Sequence, residues 1–330
     1  MNTHPYGFRI VGDCSGERRL IDWWAAFNAG AACDERARIG SEAYLSGFTF
    51  AGGFAAHLKS TGSVKGFDGS CHAAFAWWDI DVPHDLEKAR IDAAKLAVGI
   101  CDRFAMNDDD LLTFYSGSKG FHLGLPTSLW EPPPSADFHR IARRFCEKVA
   151  QSAGVTIDSG IYDKVRAFRA PNSRHPKTGL HKRRLPLKAL MELSAAAIAD
   201  LAKMPEPFDV PMPSSSGRCA WNCSADWNVA TEYVRGEAEA NAKHRAAVAD
   251  GNATARLNQL TLAFIRDGAG QGDRHRLLYS AARNLAEFDC SRALAAALLN
   301  ESALDSGLSP SDVRRQIECG LTDGIKGAMP

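Results

Sequence analysis

Residues 73–81 read Ala-Ala-Phe-Ala-Trp-Trp-Asp-Ile-Asp, an apolar and aromatic run that ends in two acids. Such a run predicts a strand buried in a sheet, with Phe75, Trp77 and Trp78 as core. Residues i and i+2 of a strand point to one side, so Asp79 and Asp81 face the same place. Neighbouring carboxylates repel, and a divalent cation relieves the repulsion. Mg²⁺ and Mn²⁺ take such oxygen ligands and leave positions for water and substrate phosphates. Acids at the end of a buried strand also stand at the rim of a core, where clefts open.

Working outward, a helical pattern spans Glu87–Phe104, with Ile91, Ala94, Leu96, Val98 and Ile100 as its apolar positions. Leu111–Tyr115 and Phe121–Leu125 predict two strands around Ser-Gly-Ser-Lys-Gly, a hairpin turn. Within Tyr115-Ser-Gly-Ser-Lys-Gly-Phe-His122 the glycines let backbone approach a ligand, and successive amides can form an anion nest. Ser116, Lys119 and His122 add a hydroxyl, a cation and a ring donor, a set suited to a triphosphate. The segment is not a Walker A loop, since no Gly-Lys-Ser/Thr closes it.

Asp137–Ala153 reads as a helix, Val155–Asp158 and Arg166–Ala170 as extended, and Met191–Lys203 as another helix. Asp158 ends a short apolar segment and can complete a three-carboxylate site. Between Gly160 and Lys188 there are nine Lys or Arg and one acid, Asp163, whereas Asp79–Asp110 holds nine acids and four bases. The net charge of zero thus hides a basic strip suited to phosphates and an acidic cluster suited to cations. Arg166 and Arg169 open the strip, placed to contact phosphates of a nucleotide or template, and Arg174, Lys177, Lys182, Arg183 and Arg184 extend it as candidate nucleic-acid contacts.

Four prolines and three serines in Pro205–Ser216 predict a linker. Beyond it the strand signal ends and helices are expected near 231–250, 254–267, 274–287, 291–300 and 309–320. Ser309-Pro310 supplies an N-cap followed by Pro at the first helical position. The expected division is a catalytic domain over 1–212, a linker and connecting helix over 213–250, and a helical domain over 251–330.

The 330 residues, 45% hydrophobic and 24% charged, exclude collagen-like, coiled-coil and wholly disordered classes. The longest apolar run, Ala293–Leu299, is too short to span a bilayer, and no signal peptide is read at the start. Nine scattered cysteines do not form a secreted disulfide framework, so a cytoplasmic protein with reduced thiols and no membrane partner is expected. Cys219-x3-Cys223 and Cys71-His72 lack a second pair at ligand spacing, so zinc is not expected.

Taken in order, AAFAWWDID, SGSKGFHLGLP (116–126) and IDSGIYDKVRAFR (157–169) resemble the three signatures of the archaeo-eukaryotic primase superfamily. The resemblance spans about Ala73–Leu187, and no Cys/His zinc knuckle lies between its first two motifs. SGSKGFHLGLP is most similar to the bacterial ligase-associated repair polymerases. GDRHRLLYSAARN (272–284) and GLSPSDVRRQI (307–317) are similar to the small helical domain C-terminal to plasmid and phage primases. The resemblance implies an α+β fold: an RNA-recognition-like primase-polymerase core with a small all-α C-terminal domain. It implies Asp79, Asp81 and Asp158 as catalytic ligands of two Mg²⁺ or Mn²⁺ ions, and Ser116, Lys119, His122, Arg166 and Arg169 as triphosphate contacts.

The expected activity is template-directed primer synthesis on single-stranded DNA from nucleoside triphosphates, serving plasmid, phage or mobile-element replication. A helicase or replication initiator is a candidate partner. Arg274, His275 and Arg276 are expected to touch phosphates during initiation, and residues 1–212 are expected to fold alone and extend a primer. An end-joining repair polymerase and a non-catalytic replication-origin binder are the alternatives. The absence of a ligase or nuclease segment disfavours the first, and three converging acids disfavour the second.

Overall fold

Phe75–Asp81 is a strand, and it lies in the smaller of two antiparallel sheets. The structure is a computed structural model and describes residues 3–213, 217–249, 257–270 and 273–327. Ser214–Ser216 of the expected linker, residues 254–256 of an expected helix and Gly272 lie outside the described residues. The chain divides into two units, Met1–Gly236 and Glu237–Pro330.

In the first unit the early strands are β1 (Tyr6–Val11), β2 (Arg19–Asp22), β3 (Ala43–Ser46), β4 (Thr49–Phe50) and β5 (Cys71–His72). They are followed by β6 (Phe75–Asp81), β7 (Leu112–Tyr115), β8 (Gly120–Pro126), β9 (Ala167–Arg169) and β10 (Arg183–Leu185). The larger sheet runs β5-β4-β1-β3-β9, with β2 also paired to β1; the smaller runs β10-β7-β8-β6.

Helices Leu86–Phe104 and Phe138–Ser152 cover one face of the smaller sheet. Asp85 caps the first of them by accepting from the Lys88 amide. Trp78 packs on this side, its indole N–H donating to the Cys146 carbonyl (2.9 Å) and its ring 6.3 Å from that of Phe145. The opposite face carries Trp77, which meets Phe168 of β9 at 5.2 Å between ring centroids. The side-chain alternation of β6 thus sends one tryptophan to the helices and the other to the larger sheet.

Several expectations change. Beside the smaller sheet, the first 72 residues and β9 supply a second, larger one. The strand that extends the smaller sheet, β10, pairs with β7. The free edge of β6 is met by the 158–162 segment, where the Asp158 amide donates to the Asp79 carbonyl (2.9 Å) and the Tyr162 hydroxyl to that of Trp77 (2.6 Å). The helix expected at 191–203 is two short ones, Leu187–Glu192 and Ala195–Leu201, with Ser194 capping the second. Another helix, expected from 231, starts at Gly217 and runs to Ala249. Its Cys223, Trp227, Ala230 and Val234 are buried in the first core, and the compact unit extends to Gly236.

In the second unit, helices Gln259–Asp267, Arg274–Ala286, Arg292–Asp305 and Pro310–Gly327 enclose a core that includes Phe264, Leu278, Leu285, Leu299 and Ile317. Among the described residues no helix is long and apolar enough to cross a membrane.

Candidate active site

The register of β6 and β8 builds the site. Asp79 pairs with His122, and Asp81 pairs with Gly120. Cross-strand partners project from the same face, so Trp77, Asp79 and Asp81 share a face with Gly124, His122 and Gly120. The glycines make room for the larger partners. A Cβ at Gly124 would stand 2.5 Å from the Trp77 ring, and one at Gly120 would stand 2.1 Å from Asp81 Oδ1 and 2.3 Å from the Ile80 carbonyl oxygen. Gly120→Ala is therefore expected to lower stability by about 1–3 kcal/mol, as overpacking does, and to displace Asp81. Thermal melts and activity check this; a variant that melts and works like the parent would show that β8 can shift freely.

This face forms one wall of a cleft of about 200 Å³, lined by Asp79, Asp81, Ser116, Lys119, His122, Arg166, Phe168, Arg169, Tyr44 and His175. The structure thus gathers all the expected nucleotide-binding residues with the first two acids. At the turn, the Ser116 amide donates to the Gly120 carbonyl (2.9 Å), and the Gly120 amide donates to Ser116 Oγ (3.2 Å). Ser116 keeps its own hydroxyl proton for another acceptor. Lys119 is 60% exposed at its side chain and pairs with Asp81 Oδ2 at 2.7 Å.

Asp79 is only 14% exposed at its side chain, and its Oδ1 is buried without a hydrogen-bond partner. His122 Nε2 lies 3.4 Å from that oxygen without completing a hydrogen bond. Burial raises the Asp79 carboxyl to about 6, against the opposing pull of Lys119, Lys182 and Arg166. Asp81 is also raised, by burial and then by Asp79, with Lys119 opposing. His122 is pushed well below its ordinary value by burial and then by Lys182, so its ring is neutral at pH 7. That ring lies 4.4 Å from Phe168, between centroids.

Asp79 offers an oxygen that no protein donor satisfies, and Asp81 offers one balanced by the Lys119 ammonium. The donors of Asp79 and Asp81 fit Mg²⁺ or Mn²⁺ with water and substrate phosphates completing the shell. Asp158 is not among the residues that line the cleft: its amide donates to the Asp79 carbonyl (2.9 Å), and its Oδ1 accepts from the Gly160 amide (2.7 Å). Among the described residues no three His, Cys, Asp or Glu side chains are grouped to hold a metal ion.

The opposite wall comes from the larger sheet. Tyr44 of β3 pairs with Arg169 of β9, whose guanidinium lies 5.1 Å from the Tyr44 ring centroid. Arg169 Nη2 donates to the Tyr44 hydroxyl (3.4 Å), and its Nη1 is buried without a partner. The tyrosine hydroxyl in turn donates to Glu42. Tyr44 and His175 escape sequence reasoning because nothing in their neighbourhoods marks them; only the pairing of β3 with β9 brings Tyr44 to the cleft.

Much of the expected nucleic-acid strip serves the fold instead. Lys182 is buried between the sheets. Arg183 pairs with Glu206 and donates to the Leu201 and Met204 carbonyls, and Arg184 donates to Thr113 Oγ1 and the Leu111 carbonyl. Pairing of β10 with β7 draws these groups inward. Arg174 and Lys177 stay exposed. In the second unit Arg274 donates to the Ser306 and Gly307 carbonyls just past a helix end, a capping role. Arg276 pairs with Asp273 (2.9 Å), and His275 Nδ1 is buried without a partner.

No family model and no curated protein matches the chain. A solved structure described as "Crystal structure of primase RepB'" is similar to it at 12% identity and a TM-score of 0.37, over 99% of this chain and 91% of that one.

Proposed function

We propose that this cleft carries out template-directed nucleotidyl transfer, joining nucleoside triphosphates on single-stranded DNA as a primase-polymerase does. The observation that carries the reading is the orphaned buried oxygen of Asp79, beside Asp81, in a cleft that also holds Lys119, Arg166 and Arg169. A buried carboxylate oxygen without a donor is costly unless a cation completes it. Arginines and a lysine around it suit the several charges of a triphosphate.

Divalent ions held by Asp79 and Asp81 would activate the attacking hydroxyl and neutralise charge on the phosphates and leaving pyrophosphate. The protein groups do the rest. Lys119 is exposed enough to swing from Asp81 to a phosphate oxygen, since surface ion pairs are weak. Ser116 and the neutral His122 ring each have a proton to donate, and Arg166 and Arg169 offset charge that develops during transfer.

The test is incubation of the purified chain with single-stranded DNA, Mg²⁺ or Mn²⁺, and labelled ribo- or deoxynucleotides. Template-dependent products support the reading, and no incorporation under any of these conditions overturns it. For the nucleotide site, His122→Ala is expected to weaken triphosphate binding about tenfold, one hydrogen bond to a charged group, with DNA affinity unchanged. Lost DNA affinity with normal nucleotide affinity would move His122 out of the nucleotide site.

A further inference from the structure

We propose that Lys182 is a positioning residue for this cleft: its ammonium ties the Arg169 carbonyl and the Phe168 ring to the smaller sheet, and thereby fixes the Arg169 guanidinium. The inference rests on the nucleotidyl-transfer reading above. Lys182 is 1% exposed. Its backbone is held on both sides, the amide donating to the Ser173 carbonyl (2.9 Å) and the carbonyl accepting from the Asn172 amide (3.0 Å). The side chain enters the space between the sheets, where Nζ donates to the Arg169 carbonyl (2.9 Å). It lies 4.3 Å from the Phe168 centroid, 4.8 Å from that of Phe114 and 5.1 Å from that of Trp77.

Ring faces, one carbonyl and the Asp79 carboxylate beyond them offset only part of what burying an ammonium costs, so burial still pushes Lys182 well below its ordinary value, and an apolar side chain of similar length would fill the space more cheaply. Packing therefore supplies no reason for a cation there. Its contacts do. β9 is a three-residue strand at the edge of the larger sheet, and among the described residues its strand partner is β3 alone. It carries Phe168, which packs on His122, and Arg169, which lines the cleft. So short an edge strand needs a second anchor if its arginine is to hold one place, and the bond from Lys182, the residue just before β10, gives it.

The experiment compares Lys182→Met with the parent chain, alone and in an Arg169→Ala background. It measures thermal melting and equilibrium binding of a fluorescent dATP analogue in Mg²⁺, alongside nucleotide incorporation. The expected result is melting at or above the parent's, with analogue affinity about tenfold weaker in the parent background and changed by less than about twofold in the Arg169→Ala background. Unchanged affinity in Lys182→Met overturns the inference, as does an equal loss in both backgrounds, which would mean that Lys182 acts without Arg169. If Lys182→Met does not fold, Lys182→Gln takes its place. It keeps a donor in the cage, so near-parent affinity is expected, and a tenfold loss overturns the inference.

A parent chain that binds the analogue but incorporates nothing refutes the proposed function and leaves the Lys182 comparison intact. A parent that incorporates nucleotide while Lys182→Met binds normally refutes the Lys182 role alone. No binding by the parent refutes both.

Discussion

Asp79→Asn should abolish nucleotide incorporation and, in the same protein without metal, raise its melting temperature. The two effects have one cause. A cation at this carboxylate is worth several kcal/mol of charge stabilisation, and each 1.36 kcal/mol is tenfold in rate, so a loss on the order of 10³-fold or more is expected. Without the cation, the carboxylate is a liability. Burial holds its pKa near 6, above the 3.8 of an ordinary aspartate. A raised carboxyl pKa means that the unfolded chain gives up the proton more readily. Stability from this group is therefore fully present below about pH 4 and is lost as pH rises to about 6, with a total of ~3 kcal/mol.

Asparagine removes the titration. In chelator, parent and variant should melt alike near pH 4, and the variant should melt higher above pH 6. Mg²⁺ should then raise the melting temperature of the parent and leave the variant where it was. A variant that melts lower at pH 7.5 in chelator would show that Lys119, Lys182 and Arg166 already compensate the ionised carboxylate. An active variant would remove Asp79 from the chemistry.

The part of this site that the sequence announces is the part built from local pattern. Phe75–Asp81 shows its strand by its aromatic run, and i, i+2 spacing puts both acids on one face. The hairpin of β7 and β8 shows its turn by Gly117 and Gly120. The other wall was not legible, because its strands are too short to carry a period. β3 has four residues and β9 three, and β9 meets β3 across more than 120 residues of chain.

Lys182 makes the same point from the other direction. In His-Lys-Arg-Arg it reads as one more phosphate contact, and only the pairing of the next residues with β7 turns it inward. Charge patterning reports which residues are basic and nothing about which side of a strand they take. The motif order marks Asp158 as an acid of the set, but not that its Oδ1 also caps the short 159–162 helix by accepting from the Gly160 amide.

Residues 1–236 should fold as a unit, and residues 1–212 should not. The difference is the first half of the Gly217–Ala249 helix. Its Trp227 is 3% exposed, with ring centroids 4.9 Å from Phe138, 5.6 Å from Phe145 and 5.8 Å from Trp130. Trp→Ala at such a site costs about 3–5 kcal/mol, against a total domain stability of roughly 5–15 kcal/mol. A cut at 212 removes Trp227 together with Cys223, Ala230 and Val234, and bares Phe138 and Phe145. That fragment should melt without cooperativity or aggregate, while Trp227→Ala in the full chain should lower stability by about 3–5 kcal/mol. Cooperative melting of 1–212 at the parent temperature would show that the helix is not part of the first core.

The longer fragment keeps Asp79, Asp81, Lys119, His122, Arg166, Arg169 and Lys182. Under the proposed function it should extend an annealed primer, since the paired stem positions the attacking hydroxyl. Starting a chain requires two free nucleotides to be held at once, and the lost translational and rotational freedom must be offset by further contacts. We propose that the second unit supplies those contacts, so 1–236 should extend primers and fail to start them. If it starts chains as well as the full protein does, every group needed to hold both nucleotides lies before residue 237, and the helices that follow serve some step other than initiation.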